Sequence, residues 1–86
     1  MEFEVVRRLY VIGRGHVTVI DNPDSRPINP DSVVQCEDGT RIHILGVERW
    51  TDLMTVSKPL RYWGIVTDKA TEGIKINIID DLNGSI

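Results

Sequence analysis

Residues 33–44 read Val33-Val34-Gln35-Cys36-Glu37-Asp38-Gly39-Thr40-Arg41-Ile42-His43-Ile44, two short apolar runs joined across Asp-Gly. Asp-Gly tolerates the positive φ angles of a primed turn, so the stretch reads as a β-hairpin. Beyond the turn Ile42 and Ile44 alternate with Arg41 and His43. This period of two puts the isoleucines on one face of a strand, with Gly46 expected to continue that inward stripe.

The same alternation recurs on both sides of the hairpin. Toward the C-terminus, Ile74, Ile76 and Ile78 share one face while Lys75 and Asn77 occupy the other, which predicts a strand with all three isoleucines inside. Before it, residues 60–67 hold the β-prone run Tyr62, Trp63, Ile65, Val66 and Thr67, and 68–73 read as a polar turn. Toward the N-terminus, Phe3, Val5, Leu9 and Val11 share one parity over residues 3–12, with Arg7 interrupting the apolar side. Gly13-Arg14-Gly15 supplies the freedom that a bulge or tight bend requires, and 16–20 read as the returning strand with Val17 and Val19 on one side.

Residues 21–31 contain Pro23, Pro27 and Pro30 among Asn and Asp, which predicts a loop. Residues 50–59 lack alternation; Asp52-Leu53-Met54 is compatible with one helical turn ahead of Pro59, and the segment is expected to be a loop. Six short strands, no long helix and no repeat indicate an antiparallel sandwich or barrel, and at this size a barrel has the advantage of leaving no free edges.

The chain has 86 residues, the size of one domain, so residues 1–86 are read as a single unit. Cys36 is the only cysteine, which excludes an internal disulfide and thiolate-rich zinc sites and suggests a reducing compartment. The first residues are acidic where a secretory signal would be basic. No apolar run approaches the roughly 20 residues that span a bilayer, so the expectation is a cytoplasmic protein with no membrane association. Ten Lys and Arg against thirteen Asp and Glu give a net charge of −3, a long-range field that repels polyanions.

Several motifs together resemble one family. They are Gly13-Arg14-Gly15-His16-Val17-Thr18-Val19, Arg26-Pro27-Ile28-Asn29-Pro30-Asp31-Ser32-Val33, Ile44-Leu45-Gly46-Val47-Glu48 and Gly64-Ile65-Val66-Thr67. Their order is similar to that of the second-domain barrel of translation GTPases such as elongation factor Tu, over roughly residues 3–79. The resemblance implies an all-β fold, a small closed six-stranded Greek-key β-barrel of the translation-protein type, here as a stand-alone chain. In that family the barrel follows a GTPase domain and helps to hold the aminoacylated end of transfer RNA. By motif, Glu48 matches the Glu of the family's Gly-Val-Glu strand end, with Arg49 and Trp50 adjoining it. Tyr62 stands where the family carries an Asn, which removes a polar contact to the aminoacyl group.

No window satisfies the phosphate-cradling pattern of a P-loop, so neither a nucleotide nor any other cofactor is expected. Gly13-Arg14-Gly15 lacks the third glycine and the helix of a dinucleotide site. His16 and His43 are the residues able to ligate a metal or shuttle a proton, and the simpler reading places them on solvated strand faces, with no metal site. A nucleophile such as Cys36 has no adjacent base by motif, so no enzymatic activity is expected.

Trp50, Tyr62 and Trp63 form an aromatic group beside Arg49 and Arg61. Because Tyr62 and Trp63 are consecutive on a strand, they point to opposite faces: one outward, the other free to plug the barrel. An outward aromatic among arginines is the composition of a protein-binding hot spot or a base-stacking platform. The candidate binding residues are therefore Arg14, Glu48, Arg49, Trp50, Arg61 and Tyr62. The leading expectation is a non-catalytic module that docks a protein; an RNA-contacting module is the alternative, and a small ligand-binding or hydrolytic barrel comes third.

Overall fold

The hairpin at the centre of the sequence is formed in the computed structural model, which describes residues 1–49 and 61–79. Strand β3 (Val33–Cys36) pairs antiparallel with β4 (Arg41–Arg49), Val34 lying opposite Ile42. The turn differs from the expected primed pair. Gly39 alone takes a positive φ, 92°, its N–H donates to the Cys36 carbonyl at 3.0 Å, and the Cys36 N–H donates to Thr40 O at 2.8 Å. That is a three-residue loop with glycine in the left-handed position, which spares Asp38 an unfavourable φ. Asp38 instead accepts the Thr40 N–H at 2.9 Å, and this hydrogen bond to its charged form holds the carboxyl below its ordinary pKa.

Four further strands complete the wall: β1 (Glu2–Val11), β2 (Gly15–Asp21), β5 (Tyr62–Thr67) and β6 (Lys75–Ile79). The order β1-β2-β5-β4-β3-β6 closes on itself, and every neighbouring pair is antiparallel. Strands β3, β4 and β5 follow one another, and β6 returns beside β3, which is the Greek-key arrangement. Closure is required because each strand has an apolar face that only the opposite wall can cover.

Inside lie Phe3, Ile20, Val34, Ile44, Trp63, Ile65, Ile76 and Ile78, with Ile28 entering from the 22–32 loop to fill one end. Each such side chain contributes about 1.5–3 kcal/mol relative to exposure. Asn22 holds that loop through its own amide: Nδ2 donates to Arg26 O at 2.9 Å, and Oδ1 accepts the Arg26 N–H at 3.0 Å. The opposite end is closed by polar groups. Thr18 and Thr71 are buried and share a hydroxyl hydrogen bond of 2.6 Å, and Arg8 Nε donates to Thr71 Oγ1 at 2.9 Å.

Three expectations about facing need correction. Ile74 is 75% exposed rather than inside, because β6 begins only at Lys75. The Glu37 carboxylate accepts the N–H groups of Ile74 and Lys75 at 2.7 and 2.9 Å, so Ile74 precedes the ladder instead of joining it. Leu9 and Val11 do not share a face with Phe3 and Val5: the register steps from Val5 opposite Ile20 to Arg7 opposite Val19, leaving Val6 as an extra residue. Such a bulge exchanges the faces of everything beyond it. A second irregularity at Leu45 sets Gly46 opposite Val66 and turns Val47, not Gly46, toward the interior.

Candidate docking face

Because β2 has apolar residues at both parities, its outer face is apolar too. Ile20 belongs to the interior, so Val17 and Val19 lie on the outside, where they cluster with Val66; Leu9, Val11 and Tyr62 pack against them. The ladder aligns Arg7, Val19, Gly64 and Glu48 in one row across β1, β2, β5 and β4, and Leu9, Val17, Val66 and Gly46 in the next. Val17, Val19 and Val66 are themselves buried, so the accessible groups are those at the border of this spine.

One border is the turn between β1 and β2. Gly13 and Gly15 take φ of 87° and 115°, and the Arg14 N–H donates to Val11 O at 2.9 Å. A Cβ on Gly15 would sit 3.1 Å from the Thr67 carbonyl oxygen, so the bend needs glycine for conformation and for close approach to β5 alike. From this turn Arg14 forms an ion pair with Glu48, passing the row in which Gly46 has no side chain to obstruct it.

The other border lies where β2 and β5 meet. Asp21 stands opposite Tyr62 in the ladder, and Arg61 clasps Asp21 with two hydrogen bonds, Nε to Oδ1 at 2.7 Å and Nη2 to Oδ2 at 2.6 Å. The same guanidinium lies over the Tyr62 ring, 5.8 Å from its centroid. Hydrogen bonding to Asp21 raises the pKa of Arg61 above its ordinary value. An exposed pair of this kind adds little to stability, so its main effect is to fix two side chains in one geometry.

The predicted residues thus divide. Arg14 pairs with Glu48, and Arg61 stacks on Tyr62, at separate borders of one outer face. Arg49 ends β4 opposite Trp63, and its side chain, all of Trp50 and the loop expected at 50–59 lie outside the described residues. Of the consecutive pair, Trp63 is the interior residue and Tyr62 the half-buried outer one. Sequence reasoning missed Asp21, the residue that orders Arg61, because they are 40 positions apart and meet only through pairing of β2 with β5.

A concavity of about 150 Å³ lies beside the polar barrel end, lined by Arg8, His16, Thr18, Ala70 and Thr71 among others. His16 meets Tyr10 edge to face, with centroids 5.1 Å apart at 68°. Among the described residues, no group of three or more His, Cys, Asp or Glu could hold a metal ion. No family model, no curated protein and no solved structure matches the chain.

Proposed function

We propose that this barrel is a non-catalytic binding module that docks a protein partner through the outer face bordered by Arg14, Glu48, Arg61 and Tyr62. The observation that carries this reading is the Asp21–Arg61–Tyr62 unit: a Tyr–Arg pair held in place before any partner arrives. Tyrosine and arginine dominate interface energetics when little side-chain freedom remains to be lost on binding.

A protein is favoured over RNA by the charge arrangement. Two of the three arginines described on this face are matched by a carboxylate, Arg14 by Glu48 and Arg61 by Asp21, leaving Arg7 at its β1 margin, and the chain as a whole carries −3. A face with mostly paired charges offers a partner's side chains both signs, but a single unmatched arginine on an acidic chain gives phosphates little positive field. A catalytic reading is less supported. Among the described residues the two groups with displaced pKa values, Asp38 and Arg61, owe the displacement to a turn hydrogen bond and a surface ion pair.

The test is affinity capture from a native extract, followed by calorimetry with the purified captured protein. Tyr62→Ala and Arg61→Ala should each weaken binding by 2 kcal/mol or more, about thirtyfold, if the pair is a hot spot. Unchanged affinity in both variants would overturn the assignment of the face. Tight RNA binding at low salt, lost as salt rises, would replace the protein reading with the RNA one.

A further inference from the structure

We propose that the open edge of β1 near its hairpin end accepts an extended, acidic and apolar segment of another protein as an added strand. Closure of the barrel is incomplete along β1. Its ladder with β6 involves Glu2, Phe3 and Glu4, and the last backbone hydrogen bond on that side among the described residues is Val5 N–H to Ile74 O at 2.9 Å; beyond it residues 71–73 meet β1 through the Arg8 side chain. Its pairing with β2 runs on to Val11. Among the described residues, no strand pairs with the far half of β1 on the β6 side.

The direction of the unpaired groups follows from the ladder. Val5 points its N–H toward β6; the bulge at Val6 directs two consecutive residues to β2, and alternation then sends the backbone groups of Arg8 and Tyr10 outward. Two N–H and two C=O groups in register are what an incoming strand requires. Exposed apolar side chains accompany them: Tyr10 is 64% and Ile12 91% exposed.

Charge selects the occupant. From Val5 to Ile20 the chain contains Arg7, Arg8 and Arg14 and no carboxylate, in a protein that is acidic overall. Arg14 is neutralised by Glu48, but among the described residues Arg8 bonds to Thr71 Oγ1 and the Gly73 carbonyl and to no carboxylate, and exposed Arg7 has no carboxylate partner there either. A second copy of this chain added along the same edge would bring four arginines into one ladder, which like charges oppose. An acidic segment meets the opposite condition, and its apolar residues would cover Tyr10 and Ile12. Arg7 borders both this edge and the outer face, but the backbone groups of Arg8 and Tyr10 lie on β1 and Arg61 and Tyr62 at the start of β5 across β2, so either proposal can fail without the other.

The probe is a synthetic peptide of about eight residues alternating Glu and Val, a usual strand length, with a Lys-Val peptide as control. It is titrated into the isotope-labelled full chain at low salt. The expected result is a saturable shift of the Arg8 and Tyr10 amides with slowed hydrogen exchange at both. Arg7→Glu, which breaks no side-chain hydrogen bond or ion pair among the described residues, should weaken the Glu-Val peptide about tenfold and improve the Lys-Val one. Arg61→Ala should leave the affinity unchanged. Four outcomes would overturn the proposal: no saturable shift, an equal response to the Lys-Val peptide, shifts centred on Tyr62, or β1 shifts that track protein concentration without peptide.

Discussion

The two halves of β1 are built from similar residues and do different work. Residues 2–5 run beside β6, with β2 joining on the other side from Glu4, and send Phe3 and Val5 into the barrel, whereas residues 7–11 pair with β2 alone and send Leu9 and Val11 to the outer spine. One extra residue, Val6, separates them. The lesson is that a single bulge converts a stave of the barrel into a one-sided strand, and it exposes arginines and apolar side chains that the closed wall would have covered.

Deletions test this contrast most severely. Removing Glu4 should expel Phe3 from the core and cost about 3–5 kcal/mol, because Phe3 would face solvent or lose its pairing with Ile76. Removing Val6 should cost only about 1 kcal/mol, since Arg7 opposite Val19 and Arg8 opposite Thr18 already continue the alternation from Val5. Urea denaturation of the two variants measures both; equal losses would mean that Val6 is no bulge. A smaller effect is expected at the polar end that ties the second half down. Thr71→Val leaves the Thr18 hydroxyl and Arg8 Nε without their shared partner, at a cost of about 1–3 kcal/mol in the same assay. If the loss is negligible, the second half is held by pairing with β2 alone.

The finest distinction concerns individual amides. In the unliganded chain, Arg8 and Tyr10 should exchange faster than Leu9 and Val11, whose N–H groups face β2, and Val5 should be protected by Ile74 O. Hydrogen exchange followed residue by residue would show it. Uniform protection from Val5 to Val11 would close the edge and remove the distinction between the halves.

Much of the fold was legible because alternation is a local property. Ile42, Ile44, Ile76 and Ile78 are buried as their spacing demanded, and Gly13-Arg14-Gly15 makes the bend that its glycines permit. Ile74 misled because it has the parity of Ile76 and Ile78 without their ladder: Glu37, from the end of β3, holds the chain at that point. Of the candidate site, Arg61 and Tyr62 could be named from composition, but their geometry depends on Asp21, and Arg14 and Glu48 meet only when β1–β2 and β4 are placed around β5.

By itself the amino-acid order determined that the chain alternates in short stripes, turns at its glycines and prolines, and must fold the apolar stripes against one another, because those signals lie within a few residues of where they act. Which face Leu9, Val11, Gly46 and Val47 present was decided only by the partner strands. A bulge is a mismatch in count between two strands, and neither strand contains that count alone.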